Sequence, residues 1–274
     1  MRLEYSAEEL EKVANDIRID IIESIHCGGS GHPGGSLSIA EMMAVLYFHE
    51  MNIDEKNPKW EDRDRFVLSK GHAAPAYYAA LAERGYFDKA ELKTLRHIDS
   101  MLQGHPDMKK VPGVDMSTGS LGQGISAAAG MAHYAKRTGK DFRVYCILGD
   151  GEIQEGQVWE AAMSAGHFKL DNLTAFLDNN DLQIDGHVSD EMSVYPIREK
   201  FEAFGWNVVE SDGHKVEELL EALEQARTFK DKPTLIWCKT VKGKGVSFME
   251  NQVGWHGGAI NDEQYQTAMK ELKR

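Results

Sequence analysis

Apolar residues first fall into register behind Ser6. Leu10, Val13, Ala14, Ile17 and Ile21 recur at the spacing of one helical face, and Ser6 followed by Glu9 makes a capping box. This pattern predicts an amphipathic helix over 7–26. The periodicity stops at HCGGSGHPGG (26–35), which carries too much glycine and a proline for a helix, and resumes over 38–50. A second pattern consists of short, almost wholly apolar runs: RFVLS (65–69), FRVYCIL (142–148), LTAFLD (173–178), WNVVES (206–211) and TLIWCKT (234–240). Helical spacing returns between them, over about 73–84, 121–138, 154–169, 197–204 and 215–229, and a last helix is expected at 261–274.

Strands that are apolar on both faces and alternate with helices describe an α/β protein: a doubly wound, mostly parallel sheet with helices on both faces. No linker-like tract or internal repeat divides the chain, so residues 1–274 are expected to form a single domain. Ligands in such folds gather at the carboxyl ends of the strands. Four loops thereby become informative: Lys70-Gly71-His72, Gly149-Asp150-Gly151, Asp178-Asn179-Asn180 and Lys242-Gly243-Lys244-Gly245.

Composition changes this picture mainly by exclusion. With 31 Lys and Arg against 44 Asp and Glu, the net charge of −13 disfavours nucleic acid and anionic membranes as partners. A small anion held locally by backbone N–H groups is not excluded. No apolar segment is long enough to span a bilayer and the N-terminus is not a signal peptide, so a cytoplasmic location is expected. Cys146 and Cys238 sit inside strand-like runs and Cys27 stands apart, which reads as ordinary thiols rather than a disulfide framework.

The strand-end loops carry the candidate chemistry. Asp150 ends one strand and Asn179-Asn180 ends the next, so a single strand–helix–strand crossover brings them side by side. A carboxylate, an amide carbonyl and a nearby main-chain carbonyl form an oxygen-only set. Such a set suits Mg²⁺ or Ca²⁺ when phosphate oxygens and water complete the shell. Gly151 lets backbone approach a diphosphate, and the helix start that follows favours its charge. Each dipeptide alone reads as a turn former; the two at the ends of consecutive strands are far more specific. Of eleven histidines, His32, His72, His105 and His256 lie in glycine-rich loops where ligand and imidazole can meet. His26, His49, His97, His133, His167, His187 and His214 are read as surface or core residues. Glu152 is read as a solvated carboxylate in the first turn of a helix.

The Gly-Asp-Gly and Asn-Asn frame is the thiamine-diphosphate enzyme signature. Together with SGHPGGSLS (30–38), RFVLSKGHAAP (65–75), QGHP (103–106), STGSLGQGIS (117–126), GDGEIQEGQVWEA (149–161), KLDNLTAFLDNN (169–180) and WHGG (255–258), the chain resembles the N-terminal, diphosphate-binding part of transketolase. The resemblance runs from about residue 10 to 258. It implies thiamine diphosphate as cofactor, with Mg²⁺ (or Ca²⁺ or Mn²⁺) held by Asp150, the side chain of Asn180 and the main-chain carbonyl of Leu182. Gly151, His72, Lys242 and His256 would contact the diphosphate, and Lys70 would add positive charge nearby. Gly119, Ser120 and Leu121 would line the aminopyrimidine and thiazolium side. Glu155 and Glu160 match acidic positions near the cofactors at a subunit interface. His32, His72, His105 and His256 would surround the reacting carbon and the sugar hydroxyls.

A complete transketolase is more than twice this length and carries, on a separate pyrimidine-binding domain, the glutamate that activates the cofactor. The resemblance therefore implies one subunit of a split transketolase. A separately encoded partner would complete each site in a heterotetramer that moves a two-carbon ketol unit from a ketose phosphate to an aldose phosphate. Relatives of 1-deoxyxylulose-5-phosphate synthase, the α subunit of a 2-oxo acid dehydrogenase and a non-catalytic cofactor-binding half remain alternatives.

Overall fold

The computed structural model describes residues 2–273. Five parallel strands make one sheet among these residues: β1 (Arg65–Leu68), β2 (Val144–Gly149), β3 (Leu173–Asn179), β4 (Asn207–Asp212) and β5 (Thr234–Lys239). Their order is β1-β2-β3-β5-β4. Every strand falls within about two residues of its predicted position.

Alternation along each strand divides its side chains between two cores. Phe66, Leu68, Tyr145, Ile147, Phe176 and Ile236 face one, where α1 (Ala7–Gly28), α2 (Pro33–Leu37), α3 (Ala40–Val45), α4 (Ala74–Arg84), α9 (Val216–Thr228) and α10 (Asp262–Leu272) contribute. Val67, Val144, Cys146, Leu148, Ala175 and Leu177 face the other, against α5 (Gln123–Thr138), α6 (Gly156–His167) and α8 (Ile197–Ala203). A short turn of helix, α7 (Val188–Glu191), lies in the loop after β3. Both faces are thus covered, as the unbroken apolar strands require. No helix among the described residues is long and apolar enough to cross a membrane.

The capping box forms as read: Glu9 N–H donates to Ser6 Oγ, and Ser6 N–H to Glu9 Oε2. Segment 26–35 departs from expectation. α1 continues through Gly28 and closes on Gly29 in the left-handed region (φ 62°). α2 then starts at Pro33, where the missing N–H costs nothing in a first turn. Gly34 must be glycine because backbone lies against it; a Cβ there would sit 2.6 Å from the Trp255 carbonyl oxygen. The predicted helix over 38–50 also divides, into α3 and a π-helical turn, Leu46–Glu50. The closing helix ends at Leu272, and Met1 and Arg274 lie outside the described residues.

Sheet register places the site. Gly149 pairs with Asp178, and Asn179 with Lys239, so the loops after β2, β3 and β5 leave the sheet side by side. β1 pairs Leu68 with Ile147 and delivers Ser69 and Lys70 to the same edge.

Candidate active site

These loops surround a cleft of about 310 Å³ lined by Lys70, His72, Leu121, Asp150, Gly151, Glu155, Asn180, Leu182, Lys242 and His256, among others. Of the residues named from sequence, His32, Gly119, Ser120, His105 and Glu160 lie outside that lining. His32 stands directly behind it, its ring centroid 5.4 Å from His72 and 5.7 Å from His256. His72 and His256 stack at 5.2 Å. His105 packs under Gly119, where a Cβ would meet its ring at 3.0 Å and φ is +145°. Ser120 is exposed. Glu160 borders a separate cleft with Gln157, His133 and Phe168.

The two asparagines divide their work. Asn179 turns to the protein: its Oδ1 accepts from Trp237 Nε1 (2.8 Å) and its Nδ2 donates to Asp150 Oδ2 (3.0 Å). The backbone N–H groups of Asn180 (2.9 Å) and Asp181 (2.6 Å) donate to that same oxygen, so Asp150 Oδ2 is fully engaged in orienting the carboxylate. Among the described residues, Asp150 Oδ1 accepts only from Gly151 N–H, at 2.8 Å. Asp150 and Gly151 both line the cleft. Asn180 Oδ1 accepts from Leu182 N–H at 3.2 Å.

The Leu182 carbonyl accepts from the Lys242 ammonium at 2.7 Å. A cation therefore already stands against one of the three oxygens that would hold a metal. Asp150 Oδ1, Asn180 Oδ1 and the Leu182 carbonyl bring a single negative charge. A divalent ion there needs further oxygens, and an anionic phosphate with water supplies them. Burial pushes the Asp150 carboxyl upward against its hydrogen bond from Asn179. The donor set fits a hard divalent ion bound together with a diphosphate.

Lys242 supplies the complementary charge. Its ammonium contacts the Leu182 carbonyl and His256 Nδ1 (3.0 Å), and it pairs with no carboxylate among the described residues. Burial, and then the neighbouring Lys70 ammonium, pull its pKa down to about 8. An unneutralised, mostly buried cation facing a cleft is costly unless an anion completes it. Lys70 differs. Its ammonium is spent on fully buried Asp178 and on the Gly35 carbonyl (2.9 Å), so it contributes less charge to the cleft than its position in the sequence suggests. Asp178 also accepts from the hydroxyls of Ser38 and Thr240. Burial opposes its ionisation, but Lys70 and these bonds win and hold its pKa below the usual range.

The histidines are held neutral. Burial lowers His32 to about 4, with Arg96 the next cause, and lowers His256 to about 3, with Lys242 next. Burial and then Lys70 depress His72, and burial with Arg96 depresses His105. Arg96 adopts φ +61° and donates from Nη2 to His32 Nδ1 and from Nη1 to Ser30 Oγ, both at 3.4 Å. A guanidinium has no acceptor, so His32 Nδ1 must be the unprotonated nitrogen and Nε2 carries the proton. Lys242 fixes His256 the same way.

Glu152 requires correction. It is buried, not solvated: Oε1 accepts from Ser69 Oγ (2.5 Å) and Gly122 N–H (2.9 Å), and Oε2 from Gly149 N–H (3.0 Å). It ties together the segments that precede Lys70, follow Leu121 and precede Asp150. Nothing local to GDGEIQEG signals this, because two of the three donors come from distant points of the chain. Arg96 escaped for the same reason, while Asp178 and Asn179, singled out only as members of a strand-end loop, are spent on Lys70 and on orienting Asp150.

Residues 10–273 match the family model of the transketolase thiamine diphosphate binding domain. The chain belongs to the transketolase family. It is 48% identical over 266 residues to the 6-deoxy-6-sulfo-D-fructose transketolase subunit SqwG of Clostridium sp. (strain MSTE9), covering 97% of each chain. It is 40% identical to an apulose-4-phosphate transketolase subunit from Phocaeicola vulgatus, covering 97% of this chain and 94% of that one. Against the transketolase of Homo sapiens identity is 47%, over 97% of this chain but 42% of the human one. The solved transketolase of Leishmania mexicana superposes with a TM-score of 0.92 at 36% identity, over 99% of this chain and 42% of that one. The chain thus spans less than half the length of these longer transketolases and nearly the whole of the two subunits. The chain shares its fold with the solved Leishmania mexicana transketolase.

Proposed function

We propose that this chain is the diphosphate- and metal-binding subunit of a split transketolase, working as one domain in the cytoplasm. A separately encoded partner would supply the pyrimidine-side glutamate and the clamp for the sugar phosphate. The observation that carries this reading is Lys242: an unneutralised cation beside a three-oxygen set, with three neutral histidines grouped behind it. Near-complete coverage of two relatives named as subunits supports the division into two chains.

Asp150, Asn180 and the Leu182 carbonyl would hold Mg²⁺, while Lys242, His72 and His256 face the diphosphate and Leu121 the rings. When bound, thiamine diphosphate supplies the carbanion chemistry that breaks and forms a carbon–carbon bond beside a carbonyl. The protein's part is position and proton supply. Neutral His32 presents Nε2–H as a donor, because Arg96 occupies Nδ1. His256 presents Nε2–H because Lys242 occupies its Nδ1. Imidazoles that stay neutral at pH 7 can donate to a substrate oxygen without placing a competing positive charge beside Lys242. Their fixed tautomers orient hydroxyls before any bond changes. His105, backed onto Gly119, is assigned to the same sugar-facing group. Glu155 lines the cleft and is assigned to the cofactor's surroundings. The donor is a ketose bearing an anionic group, a phosphate or the sulfonate that the first relative's name suggests.

The test is reconstitution with a pyrimidine-domain subunit, sought first in the adjacent open reading frame, followed by a ketol-transfer assay across ketose phosphate and sulfo-ketose donors. Activity should require both chains, Mg²⁺ and cofactor. Turnover by this chain alone would refute the split arrangement. Failure with every partner would favour the non-catalytic half.

A further inference from the structure

Lys242 sits in a turn whose two flanks are tied down by residues far from the cleft. On one flank, Val241 N–H donates to His214 Nε2 at 2.8 Å. His214 Nε2 is therefore the unprotonated nitrogen, and Nδ1–H donates to Glu41 Oε2 at 3.1 Å. Glu41 in turn accepts from Arg18 Nη2 through both oxygens, at 2.6 and 2.7 Å. Arg18 Nε donates to the Lys244 carbonyl at 3.1 Å, on the other flank. The path from Val241 through His214, Glu41 and Arg18 to Lys244 is closed by the turn itself. Arg18 and Glu41 are buried, and His214 is only 11% exposed at its side chain.

We propose that Arg18, Glu41 and His214 are positioning residues for Lys242, a closed polar ring that fixes both flanks of its turn and presents the ammonium to the cleft before an anion arrives. The inference rests on Lys242 as the diphosphate contact. Three elements meet here: α1, α3 and the loop after β4. The turn needs such support because Gly243 (φ +79°) and Gly245 (φ +93°) leave its backbone intrinsically free. Burial disfavours a charged Glu41, yet Arg18 and His214 hold its carboxyl down to about 2, so Glu41 is a carboxylate at neutral pH. Gly243 N–H to the Gly34 carbonyl (3.0 Å), Asn251 N–H to the Lys242 carbonyl (2.9 Å) and Gly245 N–H to Glu250 Oε1 (3.0 Å) anchor the turn as well, and the ring adds a side-chain tie to each of its flanks.

The test is a double-mutant cycle on cofactor affinity, with amide hydrogen exchange on the cofactor-free chain. Removing one partner from a buried polar ring should cost about tenfold in affinity. His214→Ala is expected to raise the apparent Kd for thiamine diphosphate with Mg²⁺ by that factor and to speed exchange of the 240–246 segment. In a Lys242→Ala background, His214→Ala should add nothing further, because both act through one ammonium. His214→Phe, which keeps the ring's volume, covers the case in which the alanine variant does not fold. Independent, multiplicative losses in the two variants, or exchange unchanged from wild type, would overturn the proposal. Absence of binding by the wild-type chain and its partner would instead refute the cofactor reading, while the exchange measurement would still decide the ring.

Discussion

Glu152 shows what a single side chain can hide from a reading of the sequence. In GDGEIQEG it looks like a first-turn carboxylate, and only the fold reveals three donors converging on it. Replacing it with Ala should leave two N–H groups and a hydroxyl unpaired and lower stability by about 3 kcal/mol, against about 1 kcal/mol for Gln. Urea unfolding of the two variants measures the difference. Asp150 is the opposite case: alone it reads as a turn former, and its pairing with Asn179-Asn180 at the end of the next strand makes it a candidate ligand. Asp150→Asn, which keeps the side chain's size and an acceptor oxygen for its donors, should abolish Mg²⁺-dependent cofactor binding in calorimetry at a smaller cost in stability than alanine. The buried histidines add a pH dependence whose sign is fixed. His32 falls to about 4 and His256 to about 3 from an ordinary 6.5, so the unfolded chain takes up protons first. Their contribution to stability is complete above pH 6.5 and is lost progressively as pH falls through those folded values. The urea midpoint should drop between pH 7 and pH 4.5, and a His32→Gln, His256→Gln double variant should flatten that slope.

Strands and helices were largely readable because burial on both faces enforces apolar runs, and caps such as Ser6–Glu9 announce themselves locally. The glycine-rich segment 26–35 was not, because its helical state depends on what packs against it. Glycine stands at Gly34 because the Trp255 carbonyl, more than two hundred residues away, leaves no room for a side chain, not because the segment is a loop. The same physics separates two other helix glycines. A Cβ at Gly166 would lie 1.8 Å from the Phe204 carbonyl oxygen, where α6 meets the end of α8. Gly166→Ala should therefore cost about 3 kcal/mol without altering cofactor affinity. A Cβ at Gly124 would lie 2.6 Å from Ser69 Cα, where α5 starts against the exit of β1. Gly124→Ala should push α5 away from the Ser69–Glu152–Gly122 bridge and weaken cofactor binding. Calorimetry together with thermal denaturation distinguishes the two outcomes.

The whole molecule carries a charge of −13, yet at the carboxyl edge of its sheet, where Asp178 engages Lys70, it leaves Lys242 without a carboxylate partner among the described residues and beside neutral histidines. That arrangement is invisible in composition and arises only when parallel register aligns the β1, β2, β3 and β5 exits. The cluster would bind cation and anion as one unit, since Asp150, Asn180 and Leu182 alone leave a divalent ion short of ligands. Thiamine diphosphate and Mg²⁺ together should therefore raise the melting temperature, either alone should not, and a chelator should reverse the gain. The most direct measurement is anomalous diffraction from the chain and its partner crystallised with thiamine diphosphate and Mn²⁺. The account requires a peak within coordination distance of the Asp150 carboxylate, Asn180 Oδ1 and the Leu182 carbonyl, with diphosphate density reaching Lys242. A peak elsewhere, or cofactor density away from these strand ends, would contradict it.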